Sequence, residues 1–299
     1  MEPATAIRGA LRGGYRAARK RAKRLASHLW FAWYRARNRF SRAMLTGTAP
    51  TVVSLTTFGT RADVVYVAIE SIGAGRVRPR RLVLWLDDPR IIDNLPATLR
   101  RLQRRGLEIH LTDNLGPHTK YYPSLTLEGI DGLPLVTADD DILYPHGWLA
   151  DLLAASRAHP AEVCCHRAFV VATRGTGLAP YSTWPNCRTT QAGPMNFATG
   201  VSGVLYPPAM LAALRGRGTA FMATTPKADD VWLHWVALRE GIPVRQVRPK
   251  PRHFPFIPGT QEVGLVNQNV GEGANDRWIA ATYDETDVAR LVAAGAPER

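Results

Sequence analysis

Between residues 51 and 171, short apolar runs alternate with stretches of helical character, and this alternation limits the fold more than any other feature of the chain. Residues 51–56 form a β-branched run, and residues 63–73 read as a helix. Residues 81–86 are a second strand that stops at Asp87 and Asp88. Residues 95–105 read as a helix with Pro96 near its start, where a missing N–H is tolerated. Residues 107–111 are a third strand, and 119–129 a short helix. Residues 133–137 are a fourth strand that runs into Asp139, Asp140 and Asp141. A helix over 147–158 and a strand over 162–171 follow. Strand–helix–strand order of this kind predicts an α/β domain with a mostly parallel central sheet and helices on both faces. Such sheets take ligands at the carboxyl ends of their strands, and the polar clusters of this chain fall at those ends. Residues 172–199 are rich in Gly, Thr, Ser and Pro and read as one long loop, a length that is often functional in a compact domain.

The charge is unevenly spread. The 299-residue chain carries a formal +13, but residues 1–48 hold 12 Lys/Arg against Glu2 alone, and the remainder holds 26 against 24 acids. The expected division is a basic N-terminal helical arm over 1–48 and a single α/β domain over 49–299, with Gly47 and Pro50 at the boundary. A basic body, which nucleic-acid binding would want, is absent, so no nucleic-acid partner is expected. Within the arm, Leu25, Leu29 and Trp33 recur at helical spacing beside Trp30, Phe31 and Tyr34, with Arg35, Arg37, Arg39 and Arg42 following. Aromatic residues on a basic helix suit an anionic membrane surface, here through residues 8–42. A solvated arm, or a helix docked on the body, is the plainer alternative. The apolar run is far below the roughly 20 residues that span a bilayer. Three cysteines, two of them the adjacent Cys164 and Cys165, make no disulfide framework and point to a reducing compartment.

The aspartate triplet is the most informative local feature. Three adjacent carboxylates at the end of a buried strand repel one another, and a divalent cation removes that cost. Hard oxygen ligands suit Mg²⁺ or Mn²⁺, held by one or two carboxylates and substrate phosphates. A solvated acidic turn is the alternative, but the apolar strand before the triplet and Tyr144-Pro145 after it favour a metal site.

Residues 135–145 (LVTADDDILYP) resemble the strand and DXD motif of GT-A glycosyltransferases, closest to the family-2-like enzymes of bacterial capsule and cell-envelope polysaccharide synthesis. The resemblance spans residues 50–285. Its segments, in order, are 53–61 (VSLTTFGTR), 82–87 (LVLWLD), 116–123 (GPHTKYYP), the triplet, 200–207 (GVSGVLYP) and 228–233 (ADDVWL). The resemblance implies a GT-A, Rossmann-like fold and a hexosyltransferase that inverts at the anomeric carbon. It also implies Mn²⁺ or Mg²⁺ as cofactor, a nucleotide-sugar donor such as a UDP-sugar, and a glycan or lipid-linked acceptor of the cell envelope. Together with the basic arm it places the enzyme in the cytoplasm, peripheral on the inner face of the cell membrane.

Under that resemblance, Asp139 and Asp141 hold the metal and Asp140 faces the ribose or donor sugar. Lys120 offsets diphosphate charge, or is a surface lysine at a helix start. Arg61 has the same two readings. Thr56 and Phe58 cradle or stack the base. Asp87 accepts from the base or ribose, or caps the next helix. Asp230 stands at the position of the family's general base, with Asp229 before it, on a helix N-terminus that favours the ionised form. Gly200 and Gly203 allow close approach in an acceptor loop. His253 is a further candidate metal ligand, or a packing histidine. Asp276-Arg277-Trp278 resembles the tail of the QxxRW signature of processive enzymes, but Ala274 stands at the glutamine position, so single-sugar addition is expected. A retaining transferase would not need Asp230. A nucleotidyltransferase would want a more Gly-rich loop after the first strand, and a membrane scaffold would leave the acidic clusters unexplained.

Overall fold

The computed structural model describes residues 25–260 and 273–295. Its strands, in chain order, are β1 (Ala49–Thr57), β2 (Pro79–Leu86), β3 (Leu107–Leu111), β4 (Leu135–Ala138) and β5 (Val163–Cys165). They continue as β6 (Ala168–Val170), β7 (Thr173–Arg174), β8 (Gly177–Leu178), β9 (Asn196–Ala198), β10 (Val204–Tyr206) and β11 (Val244–Gln246). The helices used below are α1 (residues 25–40), α2 (Tyr66–Gly73), α3 (Pro89–Asp93), α4 (Ala97–Gln103), α5 (Trp148–Ala158), α6 (Pro208–Arg217), α7 (Phe221–Thr224) and α8 (Asp229–Arg239). Two further helices, Ala274–Thr282 and Glu285–Gly295, close the chain.

Seven strands form the central sheet in the order β11-β5-β10-β4-β1-β2-β3. All run parallel except β10, which is antiparallel to both β4 and β5. The α/β architecture and mostly parallel sheet expected from the sequence are therefore present. Strand period explains why both faces are covered. Along β2, Leu82, Leu84 and Leu86 enter one core cluster, while Val83 and Trp85 enter the other. Cys164 and Cys165 divide the same way, and they and Cys187 are buried free thiols.

Several local expectations are corrected. The strand expected over 162–171 breaks after Cys165. There the His166 N–H donates to the Gly203 carbonyl, and β6 leaves the main sheet to pair with β9. Residues 172–199 are not one loop. They hold the β7–β8 hairpin, a 3₁₀ turn at Tyr181–Thr183, and β9. Residues 119–129 form no α-helix. Two 3₁₀ turns, Gly116–Lys120 and Pro123–Thr126, stand there, each with proline in its first turn.

The N-terminal helix docks on the body. Glu70 of α2 is fully buried and accepts from Arg37 Nε (3.0 Å), Asn38 Nδ2 (3.4 Å) and the Arg105 guanidinium. Tyr34 and Leu45 join the same core as β1 and α2. Residues 25–48 are thus packed on the domain rather than held apart from it. Residues 1–24 of the expected arm lie outside the described residues. Among the described residues, no helix is long and apolar enough to cross a membrane.

Candidate functional site

The chain runs β1, β2, β3 outward in one direction, and β4 then returns to the other side of β1. That switch opens a crevice beyond the carboxyl ends of β1 and β4. Thr56 to Arg61 leave β1 there, and Asp139 to Asp141 leave β4. Two cavities adjoin at this edge, of about 500 and 330 Å³, and share Pro117, Lys120, Asp139 and Lys227.

The smaller cavity gathers Thr56, Phe58, Arg61, Asp87, Lys120, Asp139 and Asp140. All the residues expected at the donor are therefore on one wall. Phe58 is 42% exposed, with the Arg61 guanidinium 5.5 Å from its ring centroid. The Thr56 hydroxyl donates to the Trp85 carbonyl at 3.1 Å. The two readings of Asp87 are separated by its neighbour. Asp88 caps α3, accepting from the Arg90 N–H at 2.9 Å, and Asp87 lines the cavity.

The triplet divides its work. Asp140 is buried, accepts from the Thr57 hydroxyl at 2.6 Å and pairs with Arg61 at 2.8 Å. Asp141 pairs with Arg61 at 3.1 Å and lines neither cavity. Asp139 lines both, its N–H donating to the Tyr144 hydroxyl at 2.7 Å. The wall thus presents Asp139 and Asp140, where the sequence resemblance had paired Asp139 with Asp141. Burial raises the carboxyl pKa of Asp140 against the pull of Arg61 and Thr57. Burial and then the repulsion of Asp139 and Asp140 push Asp141 up to about 7.

Lys120 is held from below. Its carbonyl accepts from the buried Ser54 hydroxyl at 2.7 Å, and His118 beneath it bonds Tyr121 and the Thr225 carbonyl. The ammonium lies between Asp139 (3.3 Å) and Asp229 (3.0 Å). Burial opposes its charge, but Asp229, Asp139 and Asp230 more than offset this and hold its pKa well above the ordinary value.

Asp229 and Asp230 open α8, whose cap is Ala228, so neither serves as the N-cap. Asp230 accepts from the Gly200 N–H at 2.8 Å and lines the larger cavity. Burial and the nearby Asp229 push its carboxyl up to about 7, against Lys120 and the Gly200 N–H. The helix terminus does not outweigh those two effects. A Cβ on Gly200 would meet Lys120 Nζ at 2.8 Å and Asp230 Oδ1 at 3.1 Å, so glycine is needed there for close approach. Gly203 has a different task. With φ +94, it packs under Trp148, whose ring a Cβ would strike at 2.6 Å, and it lines neither cavity. Between these glycines Ser202 takes φ +84, a strained position for a non-glycine residue. Its carbonyl accepts from Trp148 Nε1 and its hydroxyl donates to the Arg252 carbonyl, both at 2.8 Å.

His253 lines neither cavity that Asp139 joins. It stands in a third opening beside α1. Among the described residues, no group of three or more His, Cys, Asp or Glu side chains could hold a metal by itself. A divalent cation completed by substrate phosphates nonetheless fits the donor set. Five carboxylates, Asp139, Asp140, Asp141, Asp229 and Asp230, gather here with Arg61, Lys120 and Lys227. Burial first, and the neighbouring carboxylates after it, raise Asp140, Asp141 and Asp230, a cost that a cation bound there would offset.

Sequence reasoning missed the wall of the larger cavity: Arg167, Phe169, Tyr181, Trp184 and Phe197. The Arg167 guanidinium lies 4.6 Å from the Phe169 ring centroid, and its Nε is buried without a hydrogen-bond partner. The only signal was the aromatic content of residues 169–197. Lys227, which lines both cavities, was missed as well.

No protein-family model matches the chain, and no curated protein does. Solved structures similar to it include the mannosyltransferase PcManGT from Pyrobaculum calidifontis in complex with GDP-Man and Mn²⁺, at 14% identity and TM-score 0.45, over 92% of this chain and 86% of that one. S. aureus TarS 1-349 in complex with UDP is similar at 14% identity and TM-score 0.46, over 81% and 69%. A CMP:2-keto-3-deoxy-manno-octonic acid synthetase complexed with CTP is similar at 13% identity and TM-score 0.41, over 66% and 88%. At identities this low, the chemistry of the site has to be argued from its own geometry.

Proposed function

We propose that this chain is a metal-dependent glycosyltransferase of GT-A type, moving a hexose-type sugar from a nucleotide-sugar, in the simplest case a UDP-sugar, onto a glycan or lipid-linked hydroxyl with inversion. The observation that carries the proposal is the shared wall. Asp139 and Lys120 belong to both cavities, Arg61 and Asp140 to one, and Asp230 to the other. A donor in the smaller cavity brings its diphosphate to Arg61 and Lys120, with the base against Phe58 and Asp87. Asp139 and Asp140 would hold Mn²⁺ or Mg²⁺, which supplies charge neutralisation to the diphosphate. The acceptor occupies the larger cavity against its aromatic wall. Asp230 takes the proton from the acceptor hydroxyl as that oxygen attacks the anomeric carbon. A carboxyl near 7 suits this task, because a base works best when its pKa lies near the working pH. Lys120 stays protonated throughout and faces the departing diphosphate. The basic stretch 8–42 would hold the enzyme peripherally on the cytoplasmic side of an anionic membrane.

The test is nucleotide release by the purified full chain from UDP-, GDP- and dTDP-sugars, with Mn²⁺ and with chelator, beside Asp139→Ala. Metal-dependent release from one donor, lost in the variant, supports the reading and identifies the sugar. No binding and no release from any donor, with metal and an acceptor extract present, overturns it. Retention of the donor's anomeric configuration in the product would remove Asp230 from the role of base.

A further inference from the structure

A third opening of about 540 Å³ lies between α1 and the segment after β11, away from the two cavities at the sheet edge. Trp30, Tyr34, Arg76, His146, Arg252 and His253 stand in its wall, and no carboxylate does. Ion pairs elsewhere occupy Arg37, Arg245 and Arg248, but neither Arg76 nor Arg252 has one among the described residues. A concave wall with two uncompensated guanidiniums focuses positive potential and attracts anions. Guanidinium donors also match phosphate oxygens in shape.

Around Trp30, which lines this opening, α1 exposes further apolar side chains. Leu25, Leu29, Trp30 and Trp33 of α1 are 63%, 64%, 44% and 43% exposed, while Tyr34 and Asn38 of the same helix are buried. Leu25, Leu29 and Trp33 follow one another at i, i+4 spacing and so form one row. Trp30 is fixed by contacts with Trp33 (5.8 Å), Tyr34 (5.9 Å) and His146 (6.1 Å). Arg35, Arg39 and Arg42 are exposed nearby, and residues 25–48 contain no acid. Water alone gives no reason to keep a row of apolar side chains exposed beside a basic hollow. The boundary between lipid headgroups and acyl chains does, because it accepts tryptophan rings and arginines together.

We propose that α1 and this opening form a seat for a membrane lipid with an anionic phosphate headgroup. Arg76 and Arg252 take the phosphate, and Leu25, Leu29, Trp30 and Trp33 enter the bilayer boundary. The proposal deepens the membrane-contact part of the proposed function and is independent of glycosyl transfer. Two hydrogen bonds connect the seat to the crevice. The Tyr144 ring lines it while the Tyr144 hydroxyl accepts from the Asp139 N–H, and the Arg252 carbonyl holds Ser202.

The experiment is flotation of the purified full chain with phosphatidylcholine vesicles, with and without added phosphatidylglycerol. The wild type, Arg76→Glu/Arg252→Glu and Trp30→Ser/Trp33→Ser are compared, with UDP binding followed in parallel. The expected result is preferential capture by phosphatidylglycerol vesicles, weakened roughly tenfold or more by charge reversal and weakened also by the tryptophan changes, with UDP binding unaltered. Equal capture of wild type and the charge-reversed variant would overturn the seat. Glycerol phosphate binding without vesicle capture, or retention on duplex DNA without vesicle capture, would overturn it too. Vesicle capture by a chain that binds no nucleotide would uphold the seat while the glycosyltransferase reading falls.

Discussion

Asp230→Asn should stabilise the protein while disabling it. The carboxyl is held at about 7 in place of 3.8. Below pH 3.8 the group is protonated in the folded and unfolded chains alike. As pH rises from there to about 7, the unfolded chain releases the proton and the folded chain keeps it, so stability falls with pH across that window. Each pH unit is worth about 1.4 kcal/mol, so the ionised group costs the fold ~4 kcal/mol near pH 8. Asparagine keeps an Oδ1 to accept the Gly200 N–H but carries no charge. Only part of this is recovered, because water in the cavity screens the charge. A net gain of about 2 kcal/mol, or roughly 4–8 °C in melting midpoint, is expected near pH 8 in chelator. Near pH 5 the gain should be less than half as large, since the unfolded carboxyl is by then only about one pH unit past its own pKa, and below pH 3.8 it should vanish. Transfer should fall roughly a hundred- to ten-thousand-fold, as for loss of a general base. Melting curves of both proteins at the two pH values, with initial rates at saturating donor, settle the matter. A variant that melts lower near pH 8, or shows the same difference at both pH values, would refute the account of Asp230 as a destabilised, poised carboxylate.

The acid limb of kcat/KM should follow Asp230, with the rate rising as pH passes about 7, and should disappear in Asp230→Asn. Gly200→Ala should cut transfer at least tenfold with little loss of stability, because the added methyl meets the mobile end of Lys120 and the Asp230 carboxylate; wild-type kinetics in that variant would show that the approach is not needed. Glu70→Ala should cost about 3–5 kcal/mol by leaving the buried Arg105 uncompensated, and limited proteolysis should then cut within α1 first. Phe58→Ala should raise the donor KM with kcat nearly unchanged if its ring serves the base; a fall in kcat at constant KM would contradict that role.

How far the sequence carries depends on whether a signal is local. The alternation of 51–138 is local, and β1 to β4 appear where the apolar runs stand. The triplet was legible because strand end and charge coincide within a few residues. The aromatic wall was not, because Phe169, Tyr181, Trp184 and Phe197 come from β6, a 3₁₀ turn and β9 and share no period. The docking of α1 was half legible. Glu70 is the lone acid of its helix, which signals a buried ion pair, but nothing in the sequence selects Arg37 from the 12 basic residues of 1–48. The split of the triplet between Arg61 and the cavity depended on register. Only the pairing of Leu55 with Ala138 brings Thr57 within reach of Asp140.

The reversed strand β10 is what would let this sheet host the two substrates of the proposed reaction. In a wholly parallel sheet, each strand brings only its outgoing loop to the crevice. β10 runs the other way, with Val204 opposite Thr137 at the end of β4, so its incoming loop, Gly200 to Gly203, enters the same crevice as the loop that leaves β4. The incoming loop supplies the N–H that fixes Asp230, and the outgoing one supplies Asp139. Lys120 spans from Asp139 to Asp229, so the two cavities are joined by charge rather than by an apolar wall. The cost is visible in Ser202 at φ +84 and in three carboxyls forced upward. Burial and repulsion of carboxylates gathered at one edge of an otherwise well-packed sheet are what a cation bound there, under the proposed function, would relieve.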